Sequence, residues 1–478
     1  LGMRGEHTQM KRYSIVICGG GSTYTPDMLE LLCFVQKDFP LKRVMIYDID
    51  ETRQKPIGEY GKILFREYYP EVTFDYTTDK AVAFTDIDFA FVQIRAGGIA
   101  MRSYDEKIPY RYNCIGQETC GAGGLSYGIR SVTQMIELIK DIRSYSPDSW
   151  IINYSNPAAI VAEATKRIFP NDRKLINICD MPTQIMDSYL PLVGKKRRDV
   201  DPVYYGLNHF GWFTHFIDKE TGRDVLPEIL NICKSEPQRV RNSLHAMYHS
   251  DKHWGGTFQE HLDFVLDYPY SLPSTYLLYY LYPDKCLKHY NEAYTRYDEV
   301  LSGRGENVKK YCEGIIKLGK MRGTQYDIGI HIDQNAVDVS QATSSTIAYN
   351  DVHATYLIEL AISIIHNKND ICLVMVKNDG IIPNVDSEMM LEVGCRIGKE
   401  GIEPLHIGEI PAFEKGLMEN QYACEKLLVD AIFEHDDQKL LQSFTINRLI
   451  SDTDRAKHMI EDFKRVNKDF WPTFERSE

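Results

Sequence analysis

Ile15 to Pro26 reads IVICGGGSTYTP: an apolar run, three glycines in a row, then small polar residues leading to a proline. The apolar part, Tyr13 to Cys18 (YSIVIC), predicts a strand, and the segment after the glycines predicts an amphipathic helix through about Cys33. A strand, a glycine turn and a helix in that order bring backbone N–H groups and a helix N-terminus to the place where a dinucleotide's pyrophosphate can sit. Gly19 and Gly21 supply the GxG spacing, with Gly20, Ser22 and Thr23 completing the small-residue turn. Tyr24 stands where the usual fingerprint has its third glycine, which predicts a looser helix–strand contact. The competing reading is a tight turn and nothing more.

The surrounding sequence repeats the theme. Arg43 to Tyr47 (RVMIY), Phe89 to Ile94 (FAFVQI), Trp150 to Tyr154 (WIINY) and Lys174 to Ile178 (KLINI) are short β-rich runs separated by helical stretches. Near-continuous apolar strands alternating with helices predict an α/β fold, a doubly wound, Rossmann-like parallel sheet covered on both faces. Ligands then belong at the carboxyl ends of the strands. Asp48 ends the second strand, where a carboxylate accepts from ribose hydroxyls and repels a 2′-phosphate, so NAD is favoured over NADP.

The 478 residues predict two domains. The basic cluster Lys195 to Arg198, before Asp201-Pro202, is the expected linker, giving a nucleotide-binding domain at 11–198 and an α+β domain at 199–478. The second contains a helical run, Leu357 to Ile365, and a strand-like run, Ile371 to Val376; the terminal NKDFWP (467–472) reads as packing. A net charge of −13 opposes a nucleic-acid or anionic-membrane surface, and no apolar run reaches the ~20 residues of a bilayer span. Eleven scattered cysteines without CxxC pairs, and no secretory segment in the sequence as given, predict reduced cytosolic thiols. Leu1 to Met10 is expected to be a frayed or added tail, with Met10 a candidate natural start.

Several residues could carry chemistry, and each has a plainer explanation. Cys179 and Asp180 end the KLINI strand; a buried structural thiol, the commoner fate of a cysteine, and a helix cap are the plainer readings, set against a Cys179/His209 metal pair. His209 lies among aromatics in YGLNHFGW (205–212), where a core histidine is the commoner outcome. In NYSNP (153–157), Asn156 and Pro157 predict a helix start with Asn as N-cap and Pro at the first helical position. The amides of Asn153 and Asn156 could instead hold sugar or nicotinamide-ribose hydroxyls. Arg95 and Arg102 read as surface ion pairs or anion contacts, Gln117 to Gly124 (QETCGAGG) as a flexible loop over a site, and the four tyrosines of Leu272 to Pro283 mostly as packing.

Taken in order, IVICGGGSTYTP, QETCGAGG, NYSNPAAIVAEA, NICDMP, YGLNHFGW and LPSTYLLYY resemble glycoside hydrolase family 4 over nearly the whole chain, from Ser14 to the terminal NKDFWP. CDMP resembles the 6-phospho-α-glucosidases of that family, whereas QIRAGG, GAGG and LPSTYLLYY are closer to its β-specific members. The resemblance implies a lactate/malate dehydrogenase-like fold, bound NAD and a divalent ion, usually Mn²⁺, with Fe²⁺, Co²⁺ or Ni²⁺ as competitors at a thiolate. It implies a 6-phosphorylated disaccharide or glucoside as substrate, a cytoplasmic location and a homodimer or homotetramer. It also implies hydrolysis through temporary oxidation at C3, which makes the C2 proton removable, rather than through two carboxylates.

By the same resemblance Cys179 and His209 ligate the metal, Asp180 protonates the leaving oxygen, Tyr276 is the base and Glu118 raises its basicity. Arg102, Asn156 and Arg296 contact the phosphorylated sugar. A 6-phospho-β-glucosidase, a hydroxy-acid dehydrogenase and a non-catalytic NAD-sensing regulator are the alternatives. The acidic balance and the lack of a basic helix-turn-helix speak against the last.

Overall fold

The computed structural model describes residues 11–247, 252–321 and 355–475, so the expected tail at 1–10 lies outside the described residues. By contacts the chain forms two compact units, each assembled from several stretches. The first comprises Leu1–Ile94, Ile139–Ile152 and Arg304–His366; the second comprises Arg95–Leu138, Asn153–Gly303 and Asn367–Glu478.

In the first unit the strands are β1 (Tyr13–Cys18), β2 (Leu41–Tyr47), β3 (Thr73–Thr77), β4 (Phe89–Val92) and β5 (Trp150–Asn153, through Ile152). Their order is β5-β4-β1-β2-β3, and β1 runs parallel to both β2 and β4. Ile15, Val16, Ile17 and Cys18 are fully buried, as a strand covered on both faces requires. Cys18 lies level with Tyr47 and Val92, so Gly19, Asp48 and Gln93 leave the sheet together at one edge. The expected 357–365 helix forms as Thr355–Ile365 and belongs to this unit, although sequence order had put it with the later chain.

The second unit holds β6 (Leu175–Asn177), β7 (Val200–Leu207), β8 (Phe210–Asp218), β9 (Leu272–Pro273), β10 (Asp370–Lys377), β11 (Met390–Gly398) and β12 (Gly401–Pro404). The KLINI strand joins this sheet order beside β5, and on its other side β6 pairs antiparallel with β10, which pairs antiparallel with β11. The antiparallel partner comes from nearly two hundred residues downstream, a distance over which strand periodicity carries no information. β7, β8 and β9 form a separate antiparallel sheet.

Lys195 to Arg198 is folded into this unit by ion pairs from Lys195 to Asp218 (3.0 Å) and Arg197 to Asp187 (2.9 Å). The helix Gly121–Tyr145 packs with Ala412–Glu434, Asp437–Ile446 and Thr453–Val466 around Ile129, Leu428, Phe444 and Phe463. The terminal NKDFWP is packing: Asn467 accepts from buried Arg130 (2.9 Å), and the Trp471 indole donates to the Ser126 carbonyl (3.2 Å). No helix among the described residues is long and apolar enough to cross a membrane.

Candidate active site

The glycine turn of the first unit is shaped by close approach. Gly19 has φ +89°, and a Cβ there would lie 2.6 Å from the Gln93 carbonyl oxygen, so only glycine fits. The turn's N–H groups do not all face outward as the motif suggests. Gly19 and Gly20 both donate to the Tyr47 carbonyl (2.9 Å each), and Gly21 donates to Asp48 Oδ2 (2.8 Å). The following helix, Thr25–Phe34, opens without a side-chain cap and with Pro26 and Asp27 in its first turn. An uncapped N-terminus beside a glycine turn and a strand-end carboxylate fits a pyrophosphate and a ribose.

The second unit gathers residues far apart in sequence. β6 ends at Asn177, Ile178 N–H donates to the Asn153 carbonyl (2.9 Å), and Cys179 and Asp180 follow directly before the helix Met181–Tyr189. Asp180 takes the N-cap position, yet its side chain does not cap; Oδ2 accepts from Gln184 Nε2 (3.1 Å). The expected cap is thus replaced by a carboxylate held from one turn further along the helix.

His209 sits at the tip of the β7–β8 hairpin with φ +60°. The flanking glycines let the strands close: a Cβ on Gly206 would lie 2.2 Å from Gly211 Cα. The tip brings His209 Nε2 to 3.3 Å from Cys179 Sγ. The Tyr276 ring stacks on the imidazole with centroids 3.8 Å apart and planes 13° from parallel. All three residues are buried, and none is a neighbour of another in the chain.

Burial dominates the electrostatics. It pushes the Cys179 thiol well up, aided by Asp180 and Glu392, while the Met181 N–H and Asn208 pull the other way. It lowers His209 to about 4, against Asp180 and Glu118, so the imidazole is neutral near pH 7. It raises Tyr276 well above the usual phenol range, and the charges of Cys179, Cys120 and Glu118 add to that. Glu118 is the opposite case: burial would raise it, but Arg102 and Arg95 outweigh burial and bring it to about 2.

The arginines expected on the surface form a chain of ion pairs. Glu118 Oε2 pairs with Arg95 Nη1 (2.7 Å), and Oε1 pairs with Arg102 Nη1 (3.1 Å). Arg102 is buried, and its Nε also donates to Glu106 (2.5 Å). Glu106 accepts in turn from the Tyr297 N–H (2.8 Å), beside Arg296, whose Nη1 pairs with Glu299 (2.8 Å).

Asn153 is fully buried, its amide donating to Asn177 (2.9 Å) and accepting from the Ser155 N–H (2.8 Å). The predicted Asn156 cap does not form: Pro157 itself occupies the N-cap position of Ala158–Ile168, because its ψ of 114° is still extended. Half of QETCGAGG is the expected loop: Gln117 to Cys120 are non-helical, with Thr119 against His209, whereas the glycines from Gly121 onward open the 25-residue helix Gly121–Tyr145.

Cys179 and His209 could hold one divalent cation, since their donor atoms lie within the span of two bonds of about 2.0–2.3 Å each. Among the described residues no group of three or more His, Cys, Asp or Glu side chains forms a complete metal cage. The pair is therefore a two-donor site whose further ligands would come from elsewhere.

Comparison with known sequences decides the family. The pattern described as "Family 4 glycosyl hydrolase" matches residues 14–194, and "Family 4 glycosyl hydrolase C-terminal domain" matches 204–450. The chain belongs to glycoside hydrolase family 4. It is 50% identical to the phospho-alpha-glucosidase PagL of Clostridium acetobutylicum, covering 97% of this chain and 99% of that one. A 6-phospho-alpha-glucosidase from gut microorganisms, crystallised with NAD and Mn²⁺, is 46% identical with a TM-score of 0.89 over 97% of this chain and all of that one. A second such enzyme, crystallised with NAD and glucose-6-phosphate, is 37% identical with a TM-score of 0.86 over the same shares. The α/β Rossmann-like fold expected from the glycine turn is the family 4 fold.

Within this family 4 chain, sequence reading passed over residues that hold the site together. Thr119 Oγ1 lies 3.1 Å from His209 Nδ1. Asn208 and Tyr204 both donate to the buried Glu392 (3.3 Å each), whose carboxyl burial pushes up to about 8. Only the Gln-x-Thr spacing of Gln117 and Thr119 carried a local signal, that of a side chain folding back on its own backbone.

Proposed function

We propose that this family 4 chain hydrolyses 6-phospho-α-glucosides, such as maltose 6′-phosphate, to glucose 6-phosphate and an aglycone by an NAD- and Mn²⁺-dependent sequence of oxidation, elimination, addition and reduction. The observation that carries the proposal is the meeting of Cys179 Sγ and His209 Nε2 at 3.3 Å under the Tyr276 ring. The 50% identity to a phospho-alpha-glucosidase supports the α preference over the β-like flavour of QIRAGG.

In this reading Gly19, Gly20, Gly21, Ser22, Thr23, Asp48 and Asn153 hold the NAD, and Cys179 and His209 hold the cation. When bound, NAD⁺ supplies a reversible hydride acceptor for C3, and the cation supplies Lewis acidity toward the sugar oxygens. Tyr276 Oη takes the C2 proton. A phenol raised by burial needs the cation's charge to ionise, while the negative Glu118, itself held ionised by Arg95 and Arg102, keeps the phenolate strongly basic. Asp180, held through Oδ2 by Gln184, gives a proton to the leaving oxygen. Arg102, held through Nε by Glu106 and through Nη1 by Glu118, would contact the phosphorylated sugar together with Asn156 and Arg296.

A division at 11–198 and 199–478 draws support from the gap between the two family patterns, 194 to 204. We further place the protein in the cytoplasm as a homodimer or homotetramer, acting on neither nucleic acid nor membrane. The test is turnover of α- and β-linked p-nitrophenyl glucoside 6-phosphates with Mn²⁺, NAD⁺ and reductant. Cleavage of the α-substrate alone is expected; cleavage of the β-substrate alone would overturn the anomer.

A further inference from the structure

We propose that Gln117 and Thr119 lock His209 into one tautomer, protonated on Nδ1, so that the bare Nε2 faces Cys179 and can bind a divalent cation. The inference rests on the reading of Cys179 and His209 as a metal pair. It follows from counting hydrogens. Gln117 Oε1 accepts the backbone N–H groups of Thr119 (2.6 Å) and Cys120 (2.8 Å). Two N–H donors on one atom identify it as the amide oxygen, which has no hydrogen to give. Thr119 Oγ1 lies 2.9 Å from that same oxygen and 3.9 Å from Cys120 Sγ, so the single hydroxyl hydrogen points at the nearer acceptor, Gln117. Only lone pairs of Oγ1 then remain for His209 Nδ1 at 3.1 Å, and Nδ1 must be the donor. A neutral imidazole has one N–H, so Nε2, 3.3 Å from Cys179 Sγ, carries the lone pair.

The opposite tautomer would point a hydrogen at the thiol and could not ligate. Partners of this kind on a metal-bound histidine are worth about 10–100-fold in metal affinity. A cavity of about 20 Å³ lies against Thr119, His209, Asn208, Gln421 and Glu425, room for one water that could replace a deleted hydroxyl. The variant must therefore fill the space: Thr119→Val swaps the hydroxyl for a methyl, and Thr119→Ser keeps it.

Mn²⁺ affinity of the NAD-loaded enzyme, measured by calorimetry, tests the inference alongside Cys179→Ser. Thr119→Val is expected to weaken Mn²⁺ binding about 10–100-fold, Thr119→Ser to stay near wild type, and both to keep wild-type NAD affinity. If Thr119→Val binds Mn²⁺ like wild type while Cys179→Ser does not, the lock is refuted and the metal pair stands. If Cys179→Ser also binds normally, the metal pair falls and the lock with it. Should Thr119→Val misfold, ¹⁵N-histidine spectra of the metal-free wild type decide: a proton on Nδ1 of His209 is expected, and a proton on Nε2 overturns the proposal.

Discussion

The glycine turn of the first unit and the Cys179–His209–Tyr276 cluster of the second are built on opposite terms. The turn is self-sufficient: the N–H groups of Gly19, Gly20 and Gly21 are met by Tyr47 and Asp48, residues on the adjoining strand end. The cluster concentrates groups whose charged forms burial opposes. A thiol and a phenol are pushed up, an imidazole is pushed down, and Glu392 is held at about 8. Folding alone gives no reason to bury such groups together, because each costs stability when it ionises. The difference teaches that the turn's geometry is a property of the fold, while the cluster is a property of the reaction.

That contrast can be broken from either side. Cys179→Ser should have the largest effect, a loss of about a thousandfold or more in Mn²⁺-dependent turnover, with NAD affinity kept; an active variant would remove the cluster's metal role. Next, Asp180→Ala should cost about 10²–10⁴-fold on maltose 6′-phosphate but far less on a p-nitrophenyl substrate, whose leaving group needs no proton. Equal losses on both would take Asp180 out of the acid role. Gly19→Ala should cost about 1–3 kcal/mol of stability through its φ of +89° and weaken NAD binding, leaving Mn²⁺ affinity alone; coupled loss of both would show that the two regions are not separable.

The smallest effect concerns pH. Glu425, lining the cavity beside His209, is buried and raised from 4.5 to about 8. Between those values the folded protein holds a proton that the unfolded chain has lost, so stability falls as pH rises through that window. Glu425→Gln should flatten the fall in melting temperature from about pH 5 to about pH 8; an unchanged slope would mean Glu425 is already ionised.

Legibility followed sequence distance. β1 spans the residues read from its apolar run, and β2 begins two residues earlier than read, because strand periodicity is local. KLINI formed a strand, but its partner β10 could not be read from its own residues. Thr119, Cys179, His209 and Tyr276 come from a helix approach, a strand end, a hairpin tip and a helix start. No spacing rule joins them; only the ordered family motifs did. The Asn156 cap failed because the Asn-Pro pair is equally at home one residue outside a helix. QETCGAGG was a loop only as far as Cys120, because its glycines let a helix start against other backbone: a Cβ on Gly123 would lie 2.4 Å from the Asp105 carbonyl oxygen.

The central claim is that the C2 proton leaves during turnover because C3 has first given up its hydride. Turnover of maltose 6′-phosphate in deuterium oxide by the purified enzyme, followed by NMR of the released glucose 6-phosphate, addresses it directly. The account predicts deuterium at C2; product that keeps its original hydrogen there would contradict it.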